Sequence, residues 1–199
     1  MTDARKLMDS FITIYKNYIT RPGSDRLLNY LLSENSDFFV APASADAHGN
    51  YEGGLCEHSI NVYECLRAYC YRDRVRDTYG LTVSDESIAV VGLLHDICKV
   101  NVYEAAFRNV RNERGQTEQV PYYICNDALP YGHGEKSVYL ISQFMRLTRE
   151  EAFAIRWHMG FSGSEDRETV RRALGMFPLA LAVHIADMEA AFLLEGGNF

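Results

Sequence analysis

The sequence predicts an all-α fold, a bundle of helices that carries one small inserted β-hairpin. Three observations lead there. Apolar side chains recur at helical spacing along most of the chain, helix start and stop residues punctuate those runs, and only residues 102 to 125 turn β-prone. At 199 residues the chain is long enough to bury a full core as one domain. The expected organisation is a single domain over 1–199, with N-terminal helices and a loop to residue 52 and a helical core from 53 to 195.

Each element has its own signal. Leu7, Met8, Phe11, Ile14, Tyr15, Tyr18 and Ile19 give a helical period over residues 3 to 20, which Pro22 and Gly23 break. Ser24 stands where it can cap a second, short helix to about residue 32. Residues 33 to 54 are loop-like in composition. A long helix fits residues 55 to 79, ended by Gly80, and Ser84 followed by Asp85 and Glu86 starts the next. The hairpin stretch has a charged centre with a glycine, "NERGQ", between β-prone flanks. Helices resume at about 134 to 146. Thr148 with Glu151 three residues on makes a capping box, opening a helix that runs to His158 and stops before Gly160. A shorter helix near 166 to 174 and a last one from about 178 to 194 complete the chain.

Composition excludes several classes. Lys plus Arg is 20 and Asp plus Glu is 27, so the formal charge is 20 − 27 = −7, without the basic stripe that grips extended nucleic acid. A metal can still supply local positive charge for a phosphate. Five cysteines, an odd number with no C-x-x-C pair, argue against a disulfide framework or a zinc ribbon. The N-terminus lacks a signal-peptide pattern, and the most apolar run, "MFPLALAVHIADMEAAFLL", is interrupted by His184, Asp187 and Glu189. That run reads as a buried helix and not a membrane span, and the expected location is the cytoplasm, with no membrane partner.

The polar residues inside apolar helices carry the chemistry. In "VVGLLHDICKV" His95 and Asp96 stand side by side where unpaired polar groups are costly. Helix neighbours lie about 100° apart, so the two do not share a face but can flank one point placed over the helix. Asp187 sits mid-helix among apolar neighbours, where a lone carboxylate is expensive. A hydrogen-bond partner or an ion would answer both cases. Imidazole with carboxylate suits first-row divalent metals better than calcium. Five of the six histidines, His58, His95, His133, His158 and His184, lie at helix ends or within apolar helical patterns. Any one alone reads as a core or capping histidine; the set is harder to explain that way.

As an ordered set, His58 in "GGLCEHS", His95 and Asp96 in "LLHDICK" and Asp187 in "HIADMEA" resemble the HD-domain metal-dependent phosphohydrolase superfamily, from about residue 53 to 190. The resemblance implies a helical bundle with the metal site in its middle and His58, His95, Asp96 and Asp187 as ligands of one ion. His133 in "YGHGEKS" and His158 in "IRWHMG" resemble the histidines that hold a second ion in the two-metal subset, with Asp96 bridging; lining the pocket is their alternative role. Two divalent transition ions, from iron, manganese, nickel or zinc, are therefore expected.

Further residues follow. Lys99, about 300° round from Asp96, is near its face, and relatives often carry a lysine there; it meets a phosphate oxygen or simply caps a helix end. Asp96 and Lys99 are the expected catalytic residues. Lys136 and Arg156 are candidate phosphate contacts. His184, three residues before Asp187, is expected to orient the site from behind its ligands. His48 resembles a position that precedes the first ligand in some relatives, or is a loop histidine. Tyr122, Tyr123 and Tyr131 stack on a base or pack the hairpin. The implied activity is hydrolysis of a phosphate ester or anhydride, of a nucleotide or a similar small metabolite, by metal-activated water. No G-x-S-x-G elbow or P-loop offers another route. Two other classes stay open: an exonuclease-like phosphodiesterase, against which the charge speaks, and a non-hydrolytic sensor or oxygenase with the same ligands.

Overall fold

Helical periods become helices wherever a start signal coincides with a face the core can bury. The computed structural model describes residues 4–111, 115–163 and 165–196. Helix α1 (Ala4–Tyr18) buries Phe11 and Tyr15, and α2 (Ser24–Leu31) buries Leu27, Leu28 and Leu31. Ser24 does not cap α2 as expected. Gly23, at φ 93°, takes the N-cap place, and Ser24 is buried with its carbonyl accepting the Tyr15 hydroxyl proton at 2.9 Å.

Helix α3 (Gly54–Cys70) is shorter than the expected 55 to 79. Beyond Cys70 the sequence "YRDRVRDTY" offers the core Val75 alone, so the chain leaves the helix and closes one turn of π-helix, Arg74–Thr78, before Gly80. Helix α4 (Asp85–Leu94) starts where Ser84 predicts, the Ser84 Oγ accepting the Ser87 N–H at 3.1 Å. Residues 88 to 94 are all buried. His95 ends α4, Asp96 leaves helical geometry at φ −107° and ψ 18°, and a 3-10 turn, Ile97–Lys99, follows.

The inserted hairpin is present. Strands β1 (Tyr103–Arg111) and β2 (Thr117–Cys125) pair antiparallel, Tyr103 opposite Cys125 and Arg111 opposite Thr117, with mostly exposed faces. Residues 112–114 of its expected charged centre lie outside the described residues. Helix α5 (Gly134–Ser142) ends four residues before the expected 146, and α6 (Arg149–Trp157) opens with the full Thr148–Glu151 capping box. Helix α7 (Arg167–Met176) precedes α8 (Pro178–Glu189), which has proline in its first turn. One turn of π-helix, Ala190–Leu194, is the last element among the described residues.

Helix α3 packs on α4 and α8, and α6 packs on α8 and α5. Leu55, Leu66, Leu93, Leu94, Ile155 and Val183 are fully buried between them, each worth about 1.5–3 kcal/mol. A Cβ on Gly92 would stand 2.6 Å from the Tyr63 Cα, so only glycine lets α4 approach α3 this closely. Among the described residues no single helix is long and apolar enough to cross a membrane, and α7 and α8 with its final turn meet at 109°. The apolar face of α8 (Leu179, Ala180, Ala182, Val183 and Ala186) is buried in the core. All five cysteines are free thiols.

Candidate metal centre

The six candidate ligands come from five helices. His58 lies in the second turn of α3, His95 and Asp96 at the end of α4, His133 at the N-cap of α5, His158 at the C-cap of α6, and Asp187 in the last turn of α8. Two glycines set the closeness of these ends. Gly92 draws α4 onto α3, and a Cβ on Gly134 would overlap the Arg156 carbonyl oxygen, so the start of α5 abuts the end of α6. The His133 and His158 ring centroids are consequently 5.0 Å apart.

Asp96 stands between two groups of atoms. Its Oδ2 is 3.6 Å from Nε2 of both His58 and His95; those two nitrogens are 3.3 Å apart, and His58 Nε2 is 3.2 Å from Asp187 Oδ1. Its Oδ1 is 2.8 Å from His133 Nε2 and 3.3 Å from His158 Nε2. His58, His95 and His158 are fully buried and Asp96 is 3% exposed. Asp96 Oδ1, His133 Nε2 and His158 Nε2 are buried atoms with no well-aligned hydrogen bond. His158, with its proton on Nδ1, turns a lone pair on Nε2 toward the Asp96 Oδ1 lone pairs, which is costly unless a proton or a cation joins them. The donor set, imidazoles with the Asp96 and Asp187 carboxylates, fits divalent transition ions: the ligand atoms of His58, His95 and Asp187 converge in one group, and Asp96 belongs to two more, with His95 and His158 and with Cys98 and His133.

The far side of each ring fixes which nitrogen faces the centre. His95 Nδ1 donates to the Gly92 carbonyl at 2.9 Å and His158 Nδ1 to the Ile155 carbonyl at 2.7 Å. His133 Nδ1 meets the Cys98 Sγ at 3.3 Å. His58 Nδ1 lies 3.0 and 3.1 Å from the two oxygens of Glu195, which also accepts from Asn61 Nδ2 at 3.0 Å. His184 Nδ1 donates to the His158 carbonyl at 2.8 Å, so it steadies the backbone of a ligand.

Charge is arranged accordingly. Burial pushes His95 down to about 3, only partly opposed by Asp96, and keeps the ring neutral. Burial also acts to lower His58, but hydrogen bonds to Asp187 and Glu195 outweigh it and raise it to about 9. Burial would raise the Asp96 carboxyl, yet Lys99, His95 and His133 hold it well below the usual carboxylate range. The Cys98 thiol is pushed up to about 12, chiefly by burial.

A cavity of about 340 Å³ opens over Asp96, His133 and Asp187. Lys99, His48 and His184 line it, with Met159, Met188 and Phe192 as an apolar wall. Lys99 Nζ lies 2.7 Å from Asp96 Oδ2. Lys136 is buried with its Nζ 2.5 Å from Asp127 and lines an adjoining cavity of about 370 Å³ that shares Lys99 and His133. Arg156 is not brought to the centre. Two positions before His158 on α6, it points away, pairs with Glu135 and with Glu165 at 2.7 Å, and lies over the Trp157 ring at 4.1 Å. Tyr131 stands against Tyr139 and Tyr122 beneath Arg108, neither on the cavity over Asp96. Sequence reasoning missed Glu195, whose trace is a carboxylate ending the last apolar run, in "LLEGG". It also missed Cys98.

A family model described as HD domain matches residues 55–191. Over 59 residues the chain is 44% identical to dihydroneopterin 2',3'-cyclic phosphate phosphodiesterase of Methanocaldococcus jannaschii, a stretch covering 30% of this chain and 23% of that relative. The chain thus spans about a quarter of the curated relative it matches. No solved structure matches.

Proposed function

The chain belongs to the HD domain family, and we propose that it is a metal-dependent phosphohydrolase acting on a small phosphorylated metabolite, a nucleotide or a compound of that kind. His58, His95, Asp96 and Asp187 hold one divalent ion; Asp96, His133 and His158 hold a second, the pair drawn from iron, manganese, nickel and zinc. The observation that carries this reading is that the buried His133 Nε2 and His158 Nε2 both stand close to Asp96 Oδ1 with no aligned hydrogen bond, while Asp96 Oδ2 faces the other group. Ions bound there lower the pKa of water and neutralise charge on phosphoryl oxygens.

The chain's own residues do the rest. Asp96 ties the two sites together. Lys99 steadies its Oδ2 and presents an ammonium to the cavity, where a phosphate oxygen is its natural partner. His184 holds the His158 backbone, and His48 forms part of the cavity wall. Met159, Met188 and Phe192 offer a surface that excludes water and accepts a flat ring. Lys136, paired with Asp127, lines the adjoining cavity, whereas Arg156 and its partners lie elsewhere. A lysine at the cavity favours an anionic substrate over the sensor or oxygenase reading. The charge of −7 favours a small substrate over a polymer.

The test pairs metal analysis with a substrate panel. Purified protein is loaded separately with each of the four metals. Phosphate or ester cleavage is then followed on nucleoside mono-, di- and triphosphates, on 2',3'-cyclic phosphates and on oligonucleotides. The cyclic arm is included because the archaeal relative is named for such a substrate. Cleavage of at least one small substrate by the ion-loaded protein is expected. Two bound ions with no hydrolysis of any substrate would defeat the hydrolase reading. Cleavage of polymers alone, steeply salt-dependent, would reverse the substrate assignment.

A further inference from the structure

The four imidazoles beside Asp96 are backed by three chemically different acceptors. His95 and His158 rest on neutral backbone carbonyls and His133 on a thiol sulfur. His58 alone has a carboxylate behind it, both oxygens of Glu195 lying within 3.1 Å of Nδ1. The Glu195 side chain is 1% exposed. Asn61, three residues after His58 on α3, donates to Oε1 and holds the carboxylate in place. The backbone is shaped for this contact: the Glu195 N–H bonds to the Ala190 carbonyl at 3.1 Å, closing the π-helical turn Ala190–Leu194 and shifting Glu195 out of the register that α8 would have given it.

We infer that Glu195 is a positioning residue for the first ion, holding the proton on His58 Nδ1 so that Nε2 is the donor, and that it makes the two ion sites unequal. The inference rests on the reading of His58 as a ligand. A carboxylate on the far nitrogen makes an imidazole a stronger donor, and loss of such a partner typically costs about 10–100-fold in metal affinity. The second site lacks this support, because His133 is backed only by the Cys98 sulfur, a weak acceptor. The first ion is therefore resident and the second exchangeable, and the gap between them depends on one residue far along the chain from His58.

The experiment titrates Zn²⁺ into the full, ion-free chain against a chromophoric chelator, for wild type, Glu195→Gln and Glu195→Asp. Wild type is expected to bind in two steps. Glu195→Gln keeps a neutral acceptor and should weaken the first step about 10–100-fold while leaving the second unchanged. Glu195→Asp keeps the charge at a longer reach and should fall between. A second readout is the downfield proton spectrum of the zinc-loaded protein. There the His58 Nδ1–H resonance should move upfield in Glu195→Gln while the signals of His95 and His158 stay in place. A wild-type first step in Glu195→Gln would overturn the inference. So would equal weakening of both steps with a lowered melting temperature, which marks Glu195 as merely structural. If wild type takes up no zinc, or His58→Ala keeps the tight step, the ligand assignment itself fails; two wild-type ions with an unchanged Glu195→Gln titration defeats this inference alone.

Discussion

Glu151 and Asp96 are both deeply buried carboxylates, and their surroundings differ in one respect. Glu151 accepts from Arg21 at 2.6 and 2.7 Å, from the Thr148 N–H at 2.8 Å and from the Ser87 hydroxyl at 2.7 Å. Each of its oxygens has two donors, and the cluster ties the start of α6 to the start of α4 and to the loop after α1. Asp96 has one such donor, Lys99, on Oδ2. Its Oδ1 faces two imidazole nitrogens, none of the three making an aligned hydrogen bond. Burial is the same in both places, so burial does not separate structure from chemistry. The supply of protons does: where donors fill every lone pair the carboxylate fastens helices, and where they do not, as at Asp96 Oδ1, a cation is the partner proposed for it.

Exchanging the two roles by mutation tests this contrast, and the largest effect is expected at Asp96. Asp96→Ala removes the atom pair common to both ion groups. Bound metal and hydrolysis should fall to background while the circular dichroism spectrum stays helical. Full metal content in the purified variant would break the comparison on the functional side. The opposite pattern is expected for Glu151→Gln. Removing the charge leaves the mostly buried Arg21 with Glu86 as its remaining carboxylate partner, at a cost of about 1.5–3 kcal/mol, with metal content unchanged. A Glu151→Gln protein as stable as wild type, or one that lost its ions, would show the two clusters to be less distinct than their geometry.

How much of this could be read beforehand depends on whether the cause is local. The Ser84 cap and the Thr148–Glu151 box are short-range signals, and both stand as the sequence reads. So does the hairpin, because its period and its polar centre fall within a few residues. His95 and Asp96 were conspicuous because two polar side chains interrupt a run that is otherwise buried from 88 to 94. The end of α3 was not legible: residues 71 to 79 hold no glycine or proline to mark a stop, and the segment offers the core Val75 alone. Glu195 was not legible either, since it meets His58 across 137 positions and its orientation depends on a π-helical turn without a sequence signature. Arg156 has the right charge for a phosphate contact. Charge says nothing of direction, and its place on α6 turns it to Glu135 and Glu165.

The contrast sharpens further at the second ion group. His133→Ala or His158→Ala leaves His58, His95, Asp96 and Asp187 in place, so metal content should drop toward one ion per chain. Turnover should fall well before stability does. Metal analysis with a melting curve on the same sample decides it: two ions retained in both variants would return these histidines to the role of pocket lining.

Acid provides the smallest and most specific comparison. Burial would raise the Glu151 carboxyl, but its bonds to Arg21, the Thr148 N–H and Ser87 outweigh that and hold it below the usual range. A folded value below the unfolded one means that the stabilisation is complete above the ordinary glutamate range, about 4.3, and is lost as pH falls through the folded value. Glutamine at this position has no proton to take up. The melting-temperature gap between wild type and Glu151→Gln should therefore be widest near neutrality and close progressively below about pH 4.3. Ion-free protein is the material to use, because ligand protonation at Asp96 and the histidines would otherwise add its own pH dependence. A gap that stays constant from neutral pH into acid would mean that the Glu151 cluster holds by shape and packing, with its charge contributing nothing.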